Sequence, residues 1–339
     1  MRKGGKYMSS LLSKKNMTEE DIKLRYITPA ITAKWNVENI TMETQITDGQ
    51  YNLRGNIASR GPAKRADYLL YINANNPIAV VEAKDNNHSI SHGLQQAMAY
   101  AQMLDLPFAY SSNGDGFAEH DFLTGKERIL QLNEFPSQAE LIARYKQEAS
   151  ISTEQETLIE QPYYSSQTTY PPRYYQRIAI NRTLDAIAKG QNRILLVMAT
   201  GTGKTYTAFQ IVYRLLQSEI KHKILYLADR NILVDQSIQQ DFAPLEKVIH
   251  KINVAKDNKT TITSHQVYFS LYQQLIGDND EEHFSKLFKP DFFDLIIVDE
   301  CHRGSAKDDS RWRRILEYFN SATQIGMTAT PKETKYISN

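Results

Sequence analysis

The sequence predicts an α/β fold class in two parts. The first mixes helices with a small sheet, and the second carries a doubly wound parallel sheet. Three observations lead there. The 339 residues exceed what one hydrophobic core normally organises. Before residue 150, short apolar strand-like runs flank a helical stripe. After residue 172, apolar strands alternate with helices, the rhythm of a parallel sheet covered on both faces. Between them, 151–172 is polar, proline-bearing and aperiodic, and reads as a linker.

Residues 1–17 form a basic start without a sustained apolar segment or a cleavage site, so a flexible N-terminus is expected and export is not. The first domain then spans 18–150. MTEEDIKLRYI opens with Thr18 and acids, as first helical turns do, and near-helical apolar spacing runs to Pro29. ADYLLYI, the turn NANNP and IAVVEAK give two strands joined by a short turn. ISHGLQQAMAYAQMLD is a helix with Leu94, Ala97, Met98, Ala101 and Leu104 as its apolar stripe. PFAYSSNGDGFAEHDFLTGK holds two short strands around a glycine turn.

The second domain, 173–339, runs RILLVMAT, the helix TYTAFQIVYRLLQS, KILYLAD, the helix around ILVDQSIQQDF, FFDLIIVDE, the helix SRWRRILEYF, and ATQIGMTATP. The arginines of SRWRRILEYF fit a half-buried helix with a solvated basic face. Composition narrows the class. Hydrophobic content of 41% with 23% charge is that of a soluble globular protein. No apolar run approaches the roughly 18 residues of a membrane span, so no membrane partner is expected. One cysteine fits a reducing, cytoplasmic setting. A net charge of +1 neither demands nor excludes nucleic acid.

Chemistry enters at MATGTGKT, 198–205, which follows an apolar strand and opens a helix. That is the context of a phosphate-binding loop, although Met198 stands where the strict pattern has glycine. Thr200, Gly201, Thr202 and Gly203 turn backbone N–H groups towards phosphate. Lys204 supplies charge near the terminal phosphates of ATP, and Thr205 a hydroxyl for Mg²⁺. LIIVDECH, 295–302, ends a strand in two acids at the sheet's carboxyl edge. Asp299 is placed to hold Mg²⁺, and Glu300 to orient or deprotonate the attacking water.

DECH, GMTATP and PRYYQRIAI together resemble the motifs of superfamily 2 helicases and translocases, whose engine is RecA-like. The resemblance implies that Gln176 reads the adenine edge with Arg173 in support. It implies too that Thr328 and Thr330 couple the nucleotide site to a nucleic-acid track, that His302 has a coupling role, and that ILYLADRNILVDQ touches the DNA backbone. That family's engine has two lobes, the second completing the ATP site with an arginine. One lobe is found before Asn339, so the chain reads as truncated and is expected to hydrolyse ATP poorly.

A second chemistry lies in IAVVEAK. Alternation places Val80, Glu82 and Lys84 on one face of a strand otherwise ready for burial. Burying a carboxylate and an ammonium without purpose is costly. Metal-dependent phosphodiester cleavage supplies a purpose: two carboxylates hold Mg²⁺, and a lysine steadies hydroxide and phosphate. Asp67, on the preceding strand, is the second carboxylate. Asp67 followed by Glu82-x-Lys84 matches the PD-(D/E)xK nuclease pattern with Ala66 in place of its proline. Gln96 and Tyr100, at i and i+4 on one helix face, resemble the Gln-x-x-x-Tyr helix beside the metal in RecB-like members of that class. Glu19 or Glu20 is expected to assist the metal, as an acid of the first helix does in related folds. His88 and His92, four apart without a third ligand, read as helix-flanking residues.

A PD-(D/E)xK endonuclease domain ahead of a RecA-like superfamily 2 lobe resembles the restriction (R) subunit of type I restriction-modification enzymes. The resemblance implies ATP-driven translocation on double-stranded DNA, Mg²⁺-dependent cleavage away from the recognition site, and assembly with methyltransferase (M) and specificity (S) subunits. The alternatives are a type III restriction subunit, a stand-alone repair helicase-nuclease, or a non-catalytic DNA-binding assembly module. Type III subunits usually carry their nuclease after the motor, so the motif order argues against them.

Overall fold

The computed structural model describes residues 13–47, 51–54, 57–60, 63–73, 76–148, 150, 152–167, 169–228, 231–257, 262–277, 281–301 and 313–330. His302, most of the basic start, and the first three residues of SRWRRILEYF lie outside them. The chain divides into two compact units, Met1–Ile151 and Ser152–Asn339. Among the described residues no helix is long and apolar enough to cross a membrane.

The first unit opens with helix α1 (Glu19–Ile22), closed by a capping box in which the Thr18 hydroxyl accepts from Asp21 N–H. The expected end at Pro29 is not observed. A wide π turn over Lys23–Ile27 lets Thr28 N–H reach the Lys23 carbonyl, and α2 (Thr28–Thr32) carries Pro29 in its first turn, where a missing N–H costs nothing. Nor is 13–17 loose. Lys14 bonds the Gly114 carbonyl and Asp115, Lys15 bonds the Asn86 carbonyl, and Met17 is buried.

Eight strands follow: β1 (Ile40–Thr47), β2 (Tyr51–Arg54), β3 (Ile57–Arg60), β4 (Lys64–Asn73), β5 (Asn76–Ala83), β6 (Phe108–Ser112), β7 (Gly116–Asp121) and β8 (Lys126–Gln131). Six of them form a mixed sheet in the order β1-β4-β5-β6-β7-β8, and β2-β3 is a separate hairpin. The only parallel pair of that sheet, β5 with β6, is bridged by helix α3 (Leu94–Leu104), as a parallel crossover requires. Helix α4 (Gln138–Glu148) completes the unit. Ile22, Ile27 and Ile31 pack against Tyr68, Leu70, Val81 and Ala83. Alternation then turns Asp67 and Glu82 to the opposite face of the sheet.

The second unit begins inside the stretch expected to be a linker. Helix α5 (Thr153–Glu160) has a capping box between Ser152 and Gln155. Its Leu158 is 2% exposed and shares a core with Ile180 and Leu184 of helix α6 (Tyr174–Ala188). The buried Arg214 bonds the Leu158 carbonyl, so the segment is part of the unit. Its polar residues are caps and surface, which is why composition read as linker. Then come β9 (Arg193–Val197), α7 (Lys204–Gln217), β10 (Ile224–Ala228), α8 (Asn231–Gln239), β11 (Ile249–Lys251), β12 (Val267–Leu271), β13 (Leu295–Asp299) and β14 (Thr323–Thr328).

These strands make an all-parallel sheet, ordered β11-β12-β10-β13-β14-β9. Successive residues bury into different cores: Ile224, Tyr226 and Ile297 on one side, Leu225, Leu227 and Ile296 on the other. Both faces are therefore covered at the central strands, as the continuous apolar runs predicted, whereas the edge strand β9 leaves Leu195 and Val197 exposed. Of SRWRRILEYF, Ile315 and Phe319 are buried while Arg314 pairs with Glu282 at 2.8 Å.

Leu158→Ala tests the attachment of α5. Truncating a side chain this buried is expected to cost about 2–4 kcal/mol of unit stability by denaturant unfolding. An unchanged midpoint would mean that the segment is a tether after all.

Candidate active sites

Tyr68 pairs with Val81 and Leu69 with Val80, so the β4–β5 register sets Asp67 directly opposite Glu82. On the other side of β4, Met42 pairs with Tyr68 and Thr44 with Ala66, which sets Glu43 of β1 opposite Asp67. Three acids thus form one row across three neighbouring strands. Like charges so placed destabilise a sheet, more so when buried, and Asp67 and Glu82 are only 9% and 1% exposed. Glu43 also has φ of 50°, a left-handed backbone that is strained for a side chain of this kind.

The pair is rigidly held. Asp67 Oδ2 accepts from Ala83 N–H at 2.7 Å, and Glu82 Oε1 from Asp67 N–H at 3.3 Å. Lys84 N–H donates to the Ser112 carbonyl at 2.8 Å, extending the β5–β6 ladder and fixing the lysine, whose Nζ lies 4.0 Å from Glu82 Oε2. Asp67, Glu82 and Lys84 therefore come together. Gly93, at the start of α3, closes against them: a Cβ there would meet Glu82 Cβ and Lys84 Cε at 3.4 Å.

Burial, and then the Asp67 carboxylate, push the Glu82 carboxyl up to about 8. A contrast in the same unit shows what is missing. Glu119 is also 1% exposed, yet in spite of that burial its hydrogen bonds from Arg144 and Arg128 hold it below the usual carboxylate range. Glu82 has no such arginine. A close pair of hard oxygen donors suits a divalent cation. Among the described residues no three His, Cys, Asp or Glu side chains stand close enough to hold a metal unaided, so waters or phosphate oxygens would have to complete its shell.

Around this centre, Gln96 is exposed and its Nε2 donates to the Tyr100 hydroxyl at 3.1 Å. Burial raises the Tyr100 phenol, and the Glu82 and Asp67 charges add to the rise, which sets Tyr100 in the field of the pair. Of the two first-helix acids, Glu19 is the one tied to the centre: burial raises it, and Lys84, Asp67 and Lys23 all act on it. His88 and His92 only lean together, ring centroids 4.2 Å apart, with His88 against Asp85.

One residue escaped the sequence reading. Lys23 is 2% exposed, and its Nζ lies 2.5 Å from Asp67 Oδ1, 2.8 Å from Glu43, 3.0 Å from Glu20 and 3.6 Å from Glu19. Lysine flanked by acids at i−3 and i−4 is the ordinary signature of a solvated helix face, so sequence carried no signal of its burial.

In the second unit the loop Met198–Gly203 joins β9 to α7. Gly201 and Gly203 have φ of 78° and 81°, which glycine alone adopts freely. Gly203 is doubly constrained, since a Cβ would lie 2.4 Å from Gln176 Nε2. Gln176 Nε2 donates to the Thr202 carbonyl at 2.9 Å, and its Oε1 accepts from Arg173 N–H at 2.9 Å. The Thr202 hydroxyl in turn donates to the Ala199 carbonyl at 2.6 Å, and Thr200 is exposed. Gln176, Arg173 and the loop, with Tyr206 and Phe209, line a pocket of about 480 Å³.

At the carboxyl ends of neighbouring strands, Lys204 Nζ pairs with Glu300 Oε1 at 3.1 Å. The Tyr226 hydroxyl of β10 donates to Asp299 Oδ2 at 3.0 Å. Burial, and then the Asp299 carboxylate beside it, raise the Tyr226 phenol far above its usual range. Burial also raises the Asp299 carboxyl. Thr328 Oγ1 accepts from Thr330 N–H at 3.2 Å, closing the end of β14 on itself.

Comparison with known proteins matches each unit. Residues 30–136 match the model of the type I restriction enzyme R protein N terminus, and 169–333 that of the type III restriction enzyme res subunit. Over 334 residues, 97% of the chain, the sequence is 47% identical to the EcoAI endonuclease subunit of a type I restriction enzyme from Escherichia coli. It is 28% identical to the EcoKI endonuclease subunit from Escherichia coli K12 over 337 residues, 78% of the chain. The chain spans 41% and 28% of those relatives' lengths. A fragment structure ascribed to an HsdR subunit of a type I restriction enzyme from Vibrio vulnificus YJ016 superposes with a TM-score of 0.75 at 40% identity, over 94% of this chain and 56% of that one.

Glu82 makes stability depend on pH. It keeps its proton up to about 8 in the folded protein and releases it near 4.5 when unfolded, so folding takes up a proton between those values. The stabilisation is complete below about 4.5 and is lost as pH rises through about 8. Melting temperatures measured with a chelator are expected to fall across that window, and Glu82→Gln to flatten the fall. Equal slopes for both proteins would count against a raised Glu82.

Proposed function

The chain belongs to the R-subunit family of type I restriction enzymes, and from that premise we propose that its first unit cuts DNA and its second drives movement along it. The observation carrying the nuclease reading is the row in which Asp67 and Glu82 face each other with Lys84 beside them. Asp67 and Glu82 hold Mg²⁺, which when bound supplies Lewis-acid stabilisation of the phosphate and a more acidic water. Lys84 sets its ammonium against the phosphate charge that grows in the transition state. Glu82, freed of its proton, completes the ligand pair. Gln96 and Tyr100 position the helix that covers the site, and Gly93 allows that helix to approach.

The second unit binds ATP. Gly201, Thr202 and Gly203 offer backbone N–H groups to phosphate, and Lys204 leaves Glu300 for the terminal phosphates. Thr205 and Asp299 hold Mg²⁺, and Glu300, released from Lys204, orients the attacking water. Arg173 and Gln176 shape the base end of the pocket. Thr328 and Thr330 pass the state of the site to the DNA track. In the complete subunit, assembled with M and S subunits in the cytoplasm, translocation on duplex DNA then precedes cleavage away from the recognition site.

Substitutions in the full-length subunit with its partners separate the two chemistries. Glu82→Ala or Lys84→Ala is expected to lower cleavage by about 10²-fold or more while DNA-dependent ATP hydrolysis persists. Lys204→Ala is expected to abolish both, because cleavage follows translocation. Cleavage unaffected by Glu82→Ala would leave the first unit an assembly module.

A further inference from the structure

Lys23 has no place in that chemistry, yet it is the most buried lysine described and touches more acids than any other. Its surroundings explain why. Glu43, Asp67 and Glu82 stand in one row, and a row of carboxylates in a sheet needs positive charge nearby. The π turn that begins at Lys23 widens the helix at that residue, and the ammonium reaches Asp67 Oδ1 at 2.5 Å and Glu43 at 2.8 Å. Asp67 Oδ2 already accepts from the Ala83 amide, and Oδ1, which has no backbone bond among the described residues, is the oxygen that Lys23 holds.

We propose that Lys23 is an internal counter-ion which competes with the divalent metal for Asp67, and so sets the metal concentration at which the nuclease site loads. The inference rests on the nuclease reading above. Two features favour competition over a purely structural role. Glu20 and Glu43, the other close partners, have side chains 74% and 50% exposed, so an ammonium displaced from Asp67 keeps partners at the surface. Asp67 is instead nearly buried and fixed by the strand opposite, and cannot follow the lysine. Metal entry therefore exchanges one cation for another at Asp67 Oδ1, without uncovering a bare carboxylate.

The test is direct Mn²⁺ binding to the full-length subunit without nucleotide, by calorimetry, for wild type, Asp67→Asn, Lys23→Met and Lys23→Arg. Removing a cation this close is expected to tighten Mn²⁺ binding by about tenfold or more, as an adjacent charge shifts a carboxylate equilibrium. Lys23→Arg keeps the charge and is expected to bind as weakly as wild type. Should Lys23→Met not fold without metal, Lys23→Gln takes its place, with the Mn²⁺-induced rise in melting temperature as readout, expected to exceed that of wild type. Equal or weaker Mn²⁺ affinity in folded Lys23→Met or Lys23→Gln, where wild type binds and Asp67→Asn does not, overturns the counter-ion role and leaves the nuclease reading standing. Wild type and Asp67→Asn binding alike overturns the nuclease reading itself.

Discussion

Strand register is the constraint on which the first unit depends. Because side chains alternate with a period of two, Tyr68 and Leu70, with Val81 and Ala83, point into one core only if Asp67 and Glu82 point together out of it. A one-residue slip of either strand would turn the acids in among the isoleucines and carry the apolar set to the face that Leu69 and Val80 occupy. The hydrophobic core thus fixes the acidic centre as firmly as any contact within the centre does. The cost of that arrangement is electrostatic, and it appears as a raised Glu82, a strained Glu43 and a buried Lys23.

Each unit gathers acids and sets a lysine of its own against them, but the two lysines differ in kind. Lys204 follows a glycine-rich turn at the mouth of a pocket, and its bond to Glu300 joins it to the acid that follows β13. Lys23 sits beneath the surface among four carboxylates and has no other partner there among the acids of β5. The arginines on Glu119 show a third solution, a permanent one. Two guanidinium groups hold that carboxylate ionised, and nothing about it invites exchange.

What the sequence made legible is what is local. The phosphate loop, the paired acids ending β13, and the Glu82-x-Lys84 spacing are each read from a few consecutive residues, and the parallel sheet from its apolar runs. Asp67 could be paired with Glu82 because a short turn joins their strands. Glu43 and Lys23 could not be found that way. Their relation to Asp67 is made by an antiparallel register and a helix lying 24 and 44 residues upstream of it, and each looks like ordinary surface in its own neighbourhood. The helix α5 was missed for a different reason: its caps and exposed face outnumber its buried positions, Leu158 and Gln155, so composition outweighed period.

Gln176 shows how a short motif can specify more than one contact. Its amide accepts from Arg173 N–H and donates to the Thr202 carbonyl, tying the first turn of α6 to the phosphate loop. Glutamate could make only the first bond and lysine only the second, so an amide is the one side chain of this length that satisfies both. Gly203 is then required twice, for its φ and for the room that Gln176 occupies. Any group that engages the Gln176 amide must share or replace those bonds, and so acts on the Thr202 carbonyl as well. The first turn of α6 and the glycine-rich loop are in this way held to one geometry by a single side chain.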